Sequence, residues 1–220
     1  INTIINERFK RDYLSLRVMN ITIIGGSSFI GKNLIEHSKK EWIIKATYCN
    51  TKDFKEFADR HDVEAVKVDL FESKIPKLGS CDVLIYFPTI TPAQLRKDGG
   101  SISKVYDVNA TGVNKIIDSM DKINRFIYIS SGTIYLRGAT GNTLEYRMAK
   151  LGGEANVLGG AREGLFSYAI IRNMGVYGRY MGEHKIQTRL MKACLFGDKS
   201  FKIDGDGKNF LDTMFVEDYV

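Results

Sequence analysis

The chain has 220 residues and a formal net charge of +6, which allows one full globular domain and a small appendage. The basic residues form no dense run and no nucleic-acid-binding motif accompanies them, which argues against a nucleic-acid partner. Three cysteines and three histidines lie far apart, which favours a reducing compartment over a disulfide scaffold or a metal site. Without a membrane-length apolar run or a signal-peptide pattern, the chain is expected to be cytoplasmic and off the membrane.

Met19 opens the first predicted strand, and residues 1–18 are expected to form an extension of unknown order. Short β-branched runs then alternate with stretches of helical spacing. Strands are predicted at 20–24, 43–48, 64–68, 82–87, 125–130 and 167–172, and helices at 32–39, 53–60, 101–120 and 143–158. Nearly continuous apolar strands alternating with helices indicate a parallel sheet that is covered on both faces. The predicted fold class is α/β, a doubly wound parallel sheet of the Rossmann type.

A glycine-rich turn follows the first strand and leads into a helix. A helix start offers unpaired N–H groups and the positive end of the helix dipole, which suit a pyrophosphate. Gly25 permits the tight turn, Gly31 lets the helix pack close to the sheet, and the Ser28 hydroxyl could bond a phosphate oxygen. The alternative is a turn that merely starts a helix. The candidate cofactor-binding residues of this turn are Gly25, Ser27, Ser28, Phe29, Ile30 and Gly31.

The ends of the second and third strands bear on the choice of cofactor. An acid at the end of the second strand would bond the ribose 2′-OH of NAD, but this strand end has none before Asp53. The sequence therefore leans towards NADP and leaves NAD open. Asp69 follows the third strand, where it could accept from an adenine amino group or cap the next helix. Side chains that could receive the 2′-phosphate of NADP are Thr47, Asn50, Thr51 and Lys52.

Two segments carry candidate catalytic groups. Tyr146 and Lys150 are four residues apart on a predicted helix and share one face. A nearby ammonium favours the phenolate form of a tyrosine, so Tyr146 could exchange a proton with a substrate hydroxyl. Lys150 could also hold the nicotinamide ribose, and Ser131, at a strand end, could orient the substrate oxygen. Taken alone, the pair also fits a half-exposed helix face; the order and spacing of the motifs favour the chemical interpretation.

These motifs, in this order, resemble the extended short-chain dehydrogenase/reductases, the NAD-dependent epimerase/dehydratase family, from Met19 to Val220. Residues 24–31 are similar to the family's Thr-Gly-x-x-Gly-Phe-Ile-Gly opening, and residues 130–135 to its Ser-Ser-x-x-Val-Tyr strand. Further matching segments are 68–70, 106–112, 146–150, 170–178, 203–207 and 215–218. The resemblance implies catalytic roles for Ser131, Tyr146 and Lys150. Cofactor contacts that it implies beyond the glycine turn are Asp69, Leu70, Phe87, Pro88, Asn109, Tyr146 and Lys150.

The chain departs from the family pattern in several places. Ser28 replaces a Gly and Asn173 replaces a Pro, and the loop between Ser131 and Tyr146 is shorter than is typical. Phe87 and Pro88 stand where the family has Leu-Ala, so they are expected to reshape the cofactor's ribose site. We expect an NAD(P)-binding domain over 19–175 and the start of a truncated C-terminal substrate lobe over 176–220.

The resemblance implies an NAD(P)-dependent epimerase, dehydratase or reductase that acts on a nucleotide-sugar-like substrate by hydride transfer. It also implies a homodimer, formed by the helix around Asn109 and the helix that bears Tyr146. Two alternatives stay open. One is an NADPH-dependent reductase of a small carbonyl compound, favoured by the missing acid after the second strand. The other is a non-catalytic dinucleotide-sensing or scaffold protein, favoured by the short substrate lobe.

Overall fold

The computed structural model describes residues 18–97, 101–183, 185–197, 200–202, 206, 208 and 212–220. Residues 1–17 of the expected extension and most of the motif at 203–207 lie outside this part of the chain. The strands are Asn20–Ile24 (β1), Ile43–Tyr48 (β2), Glu64–Lys67 (β3), Gly79–Tyr86 (β4), Met120–Ser131 (β5), Ser167–Asn173 (β6), Val176–Tyr177 (β7) and Met214–Phe215 (β8). The helices are Phe29–Glu36 (α1), Phe54–Asp59 (α2), Pro92–Lys97 (α3), Ile102–Tyr106 (α4), Gly112–Ser119 (α5), Gly141–Arg162 (α6), Ile186–Phe196 (α7) and Val216–Tyr219 (α8).

The main sheet has six parallel strands in the order β3-β2-β1-β4-β5-β6, and β7 pairs with β8 in a second, parallel pair. β1 is central and is buried from Ile21 to Ile24 because helices cover both faces of the sheet. One core layer lies with α1 and α2 and includes Phe54 and Phe57; the other lies with α5 and includes Phe126. The predicted α/β doubly wound fold is confirmed.

The strand order reverses at β1, which pairs with β2 on one side and with β4 on the other. In open α/β sheets a crevice forms at such a reversal, outside the carboxyl ends of the strands. The glycine turn follows β1 at this edge, and the segment that follows β4 lies beside it. The topology therefore places the candidate site between the ends of β1 and β4.

The predicted helix over 101–120 is interrupted. A π-helical turn over Asp107–Thr111 separates α4 from α5. Other bounds differ by a few residues: α1 begins at Phe29 instead of residue 32, and β5 runs for 12 residues from Met120.

Side chains from outside the π turn bond three successive carbonyls in it. Tyr86 Oη donates to the carbonyl of Val108 at 2.5 Å, and Tyr128 Oη donates to that of Asn109 at 2.7 Å. A side-chain amide on α6 donates to the third carbonyl, that of Ala110, at 3.1 Å. These carbonyls have partners other than the regular helical ladder, and this gives a physical reason for the break.

Replacing Gly31 with Ala should destabilise the fold, because no room exists for a Cβ where α1 crosses the turn. An added Cβ would lie 2.7 Å from the carbonyl oxygens of Gly25 and Gly26. We expect the free energy of unfolding in urea to fall by about 1–3 kcal/mol. Gly159→Ala on α6 is the matched control, since nothing lies within 4 Å of its Cβ. The free energy of unfolding of the control should rise by about 0.4–1 kcal/mol. Equal losses of stability in both variants would contradict the close packing at Gly31.

Candidate active site

A cleft of about 850 Å³ opens at the carboxyl ends of the strands on both sides of β1. Its size falls in the range of small-molecule and cofactor sites. Groups from the glycine turn, from the ends of β2 to β5, from α6 and from the segment after β6 all reach it. The sequence-predicted residues that line it outside the turn are Thr47, Thr51, Asp69, Leu70, Phe87, Pro88, Ser131, Tyr146 and Lys150.

The glycine turn is held by hydrogen bonds at both of its ends. Gly25 has a φ of +76°, a left-handed conformation that glycine adopts without strain, and its carbonyl accepts from Ser28 N at 3.0 Å. Ser28 caps α1, since its Oγ accepts from Gly31 N at 3.1 Å, and the hydroxyl hydrogen can still donate to a ligand. Gly31 itself packs behind the turn and does not line the cleft. The turn residues that line it are Gly25, Ser27, Ser28, Phe29 and Ile30.

Thr47, a candidate for binding a 2′-phosphate, lines the cleft and also supports the glycine turn. It is 2% exposed, and its Oγ1 accepts from Gly25 N at 2.9 Å, so it fixes the start of the glycine turn. Asn50 and Lys52 are absent from the cleft lining within the described residues, whereas Thr47 and Thr51 both line it. A side chain on β2 thus supports the backbone of the turn after β1.

Asp69 lines the cleft and also caps a turn. Its Oδ1 accepts from Phe71 N at 2.9 Å, and residues 70 and 71 form a turn where the sequence suggested a helix. Burial together with the Asp69 carboxylate raises the pKa of the Cys49 thiol at the end of β2. Lys115 Nζ donates to the carbonyl of Leu70 at 2.7 Å and holds the loop from behind. Asp69 therefore places a carboxylate where the ends of β2 and β3 meet.

Pro88 and Asn109 are placed differently with respect to the cleft. The Pro88 ring packs on the glycine turn, and a Cβ at Gly25 would lie 3.3 Å from it. Asn109 is fully buried in the π turn, where its Nδ2 donates to the carbonyl of Ile90 at 3.1 Å. Because Asn109 lies behind the cleft wall and not in its lining, the expected direct cofactor contact is not supported. Its position instead supports the wall at Ile90, which does line the cleft.

The structure brings the three predicted catalytic side chains into the same cleft. Ser131 ends β5, where its Oγ accepts from Thr133 N at 3.2 Å and from Thr133 Oγ1 at 2.9 Å. Its own hydroxyl hydrogen can donate to a ligand oxygen. Tyr146 and Lys150 lie one turn apart on α6, and Tyr146 is 8% exposed against Val105 of α4. The three groups therefore face one space from two different elements.

Lys150 is the most strongly perturbed of these groups. It is 2% exposed, its Nζ donates to the carbonyl of Ile129 at 2.9 Å, and it lies 5.1 Å from the centre of the Tyr128 ring. Burial lowers its pKa to about 7, and the charge of Glu154 opposes part of that fall. An amine that titrates near neutrality inside a cleft is typical of a functional site.

Sequence reasoning missed the side chains behind Lys150 and the wall opposite it. Ser130 Oγ and the Arg172 guanidinium both donate to the carboxylate of Glu154, at 2.5 Å for Ser130 and 2.6 Å for the nearest Arg172 nitrogen. The spacing of Glu154 one helical turn after Lys150 is the signal that could have found it. Cleft residues after β6 that sequence reasoning also missed are Met174, Met181, Lys185 and Gln187.

Replacing Lys150 with Met should change how stability depends on pH. The lysine amine has a pKa of 10.5 when unperturbed and about 7 here, so between these values the unfolded chain binds a proton that the folded chain lacks. The free energy of unfolding of the wild type therefore gains about 2 kcal/mol from this residue between pH 7 and pH 9. Well below pH 7 Lys150 is a buried cation in the folded protein, and the full cost of burying that charge lowers the free energy of unfolding.

Urea unfolding of the wild type and of Lys150→Met at both pH values measures this difference. The variant should be the more stable protein at pH 7, and its advantage should shrink towards pH 9. Taking the difference between the two proteins cancels the titration of tyrosines and cysteines that both contain. An advantage that stays constant with pH would contradict a depressed pKa at Lys150.

Within the described residues, no helix is long and apolar enough to cross a membrane, and no group of three or more His, Cys, Asp or Glu could hold a metal ion. The comparison with curated proteins found no match.

Solved structures share the fold. UDP-glucuronic acid 4-epimerase from Bacillus cereus, a mutant in complex with a fluorinated UDP-glucuronic acid and NAD, superposes with a TM-score of 0.74 at 19% identity, over 91% of this chain and 70% of that one. UDP-N-acetylglucosamine 4-epimerase from Methanobrevibacter ruminantium, in complex with UDP-N-acetylmuramic acid, gives 0.74 at 17% identity, over 93% and 71%. The dTDP-glucose 4,6-dehydratase DesIV from Streptomyces venezuelae, with NAD bound, gives 0.68 at 16% identity, over 91% and 69%. The chain thus spans about 70% of the length of these proteins.

The family model of the NAD dependent epimerase/dehydratase family matches residues 21–220, which is most of the chain. The match includes the glycine turn, the end of β5 and the helix that carries Tyr146 and Lys150. The chain belongs to the NAD dependent epimerase/dehydratase family, whose members are enzymes of the extended short-chain dehydrogenase/reductase type.

Proposed function

We propose that this protein binds a nicotinamide dinucleotide in the cleft and oxidises or reduces a hydroxyl-bearing carbon of a nucleotide-sugar-like substrate. One observation carries the proposal: Ser131, Tyr146 and Lys150 share a single cleft with the glycine turn and Asp69. A dinucleotide needs both a phosphate-binding helix start and a reaction centre within its length, and this cleft provides them at the switch point of the sheet.

The residues present fit such a ligand from end to end. The capped start of α1 presents backbone N–H groups without an acidic residue in its first turn, which suits a pyrophosphate. Asp69 offers an acceptor for an adenine amino group or a ribose hydroxyl near the ends of β2 and β3. Lys150 offers a donor to the nicotinamide ribose at the other end. When bound, the nicotinamide ring supplies the acceptor or donor of the hydride.

Tyr146 is proposed as the proton acceptor and donor of the reaction. As a phenolate, Tyr146 would take the proton from the substrate hydroxyl while the carbon is oxidised; as a phenol, it would return that proton in the reverse direction. The Lys150 ammonium, one helical turn away, would stabilise negative charge on the Tyr146 oxygen during the proton transfer. Ser131 would donate its hydroxyl hydrogen to the substrate oxygen and hold it towards Tyr146. Each role uses a group that the fold already orients.

NAD is proposed as the cofactor, in place of the NADP towards which the sequence leaned. Thr47 is 2% exposed and its Oγ1 already accepts from Gly25 N, so it offers a 2′-phosphate at most one hydroxyl hydrogen. The Asp69 carboxylate beside Cys49 places negative charge near the end of β2, where it would repel a 2′-phosphate. The Bacillus cereus and Streptomyces venezuelae structures contain NAD, which agrees with this choice.

The nucleotide-sugar substrate is proposed on the family and on the ligands of the similar structures, which include UDP sugars. We also propose that residues 176–220 begin the substrate lobe, since Met181, Lys185 and Gln187 line the cleft from that side. A homodimer is proposed through α4 and α6, which expose Ile102 and Met148. A cytoplasmic location stays a prediction.

Replacing Tyr146 with Phe should abolish most of the turnover and leave cofactor binding largely intact. Loss of a positioned general acid/base lowers kcat by about 10²–10⁴-fold. The measurement pairs two assays: fluorescence titration with NADH and NADPH, and turnover of candidate UDP and dTDP sugars. Tyr168→Phe is the matched control, because Tyr168 is 47% exposed on β6 and lies away from the cleft lining.

Tighter binding of NADH than of NADPH, with turnover lost only in Tyr146→Phe, is the expected result. Binding without turnover in the wild type would favour the dinucleotide-sensing alternative. Tighter binding of NADPH would favour the alternative of a small-carbonyl reductase. Failure to bind either cofactor would contradict the proposed function.

A further inference from the structure

Glu154 is a buried carboxylate with a complete set of partners. It lies one turn after Lys150 on α6, is 4% exposed, and faces the last residues of β5 and β6. Ser130 Oγ donates to its Oε1 at 2.5 Å, while Arg172 Nε donates to Oε1 at 3.0 Å and Nη2 to Oε2 at 2.6 Å. Burial favours the neutral acid, but the hydrogen bonds from Arg172 and Ser130 outweigh it and lower the pKa of Glu154. Glu154 is therefore an anion at neutral pH.

Arg172 is fixed from its outer side as well. Its Nη1 donates to Tyr135 Oη at 2.6 Å, and its guanidinium lies 5.3 Å from the centre of the Tyr135 ring. The network thus runs from Ser130, which lines the cleft, through the carboxylate and the guanidinium to an exposed tyrosine. A two-point contact between a guanidinium and a carboxylate fixes the orientation of both groups as well as their distance. The Glu154 carboxylate is therefore held in one position, one helical turn from Lys150 on α6.

Few groups face Lys150, and most of them are neutral. From β5 it meets the ring of Tyr128, whose pKa is raised by burial, and the carbonyl of Ile129. On α6, Tyr146 lies one helical turn before Lys150 and Glu154 one turn after it. Among the described residues, Glu154 is the anion whose charge opposes the desolvation of the Lys150 ammonium. From β6, Arg172 acts on Lys150 in the opposite sense, because it neutralises part of the Glu154 charge.

We propose that Glu154 is a positioning residue for the proposed reaction: its carboxylate keeps Lys150 a cation beside Tyr146, and Arg172 limits how strongly it does so. This inference rests on the proposed function for its consequence in catalysis. The effect of the Glu154 charge on the titration of Lys150 can be measured without a cofactor. Neither Glu154 nor Arg172 lines the cleft, so both act through Lys150.

Two substitutions should move the Lys150 titration in opposite directions. Glu154→Gln keeps the size and an acceptor for Ser130 but removes the charge, so Lys150 should lose its proton at a pH about one unit lower or more. Arg172→Gln removes a cation and leaves Glu154 charged, so Lys150 should hold its proton to a higher pH. Arg172→Lys is the matched control, because it keeps the positive charge next to Glu154, and it should shift the titration less than Arg172→Gln.

The measurement follows the ¹⁵N chemical shift of the Lys150 Nζ against pH in lysine-labelled protein, with Lys150→Met to assign the signal. Circular dichroism of each variant confirms that it is folded; should Glu154→Gln fail to fold, Arg172→Gln tests the same claim with the opposite sign. The proposal would be overturned if the midpoint of the Lys150 titration stayed unchanged in Glu154→Gln and Arg172→Gln, or if it moved in the same direction in both.

The same variants then report on catalysis. With NAD and a turned-over substrate, the alkaline fall of the pH–rate profile should move with the Lys150 titration: downwards in Glu154→Gln and upwards in Arg172→Gln. If the Lys150 titration moves in opposite directions in the two variants but the wild type turns over no substrate, the coupling between Glu154 and Lys150 stands and the proposed function is rejected. Opposite NMR shifts with an unmoved pH–rate profile would reject the catalytic part of the inference.

Discussion

All six strands of the main sheet run parallel, and this constraint brings chemical groups from distant parts of the chain together. Parallel strands end at one edge, so the glycine turn after β1, Asp69 after β3 and Ser131 at the end of β5 meet there although they are far apart in sequence. The helices that connect the strands must lie on the faces, and α6 therefore carries Tyr146 and Lys150 to the same edge. The cleft forms at this edge because all six strands end there.

The site has a cost in stability, which the fold concentrates at Lys150. Its ammonium is removed from water and is held by a backbone carbonyl, an aromatic ring and the charge of Glu154. A hydrophobic side chain of similar length would fit this position without an ionic cost. A buried charge of this kind is expected where a protein is organised for chemistry instead of stability.

Local sequence signals predicted much of this structure. The strand pattern, the glycine turn and the four-residue spacing of Tyr146 and Lys150 depend on neighbours in the chain, and the structure agrees with each of them. Sequence patterns could not predict the π turn, because Tyr86 and Tyr128 reach it from other strands. Long-range contacts of this type arise from the strand order, which a residue pattern does not contain.

The engagement of Thr47 was missed for the same reason. Its side chain is tied to Gly25, which lies in the preceding strand-turn unit, so it looked free in the sequence. Glu154 and Arg172 are 18 residues apart and meet only when β6 joins the sheet beside β5. Candidate catalytic residues could thus be predicted from sequence motifs. The groups that orient them and affect their charge could be identified only from the three-dimensional structure.

The central claim is that one ligand spans the glycine turn, the end of β3 and the helix that carries Tyr146. Hydrogen–deuterium exchange with and without NAD measures which of these three segments the ligand protects. The account predicts that NAD slows exchange at residues 25–31, 69–71 and 146–150 together, with little change on the far side of α2. Protection confined to one of these segments, or absent from all three at saturating NAD, would contradict it.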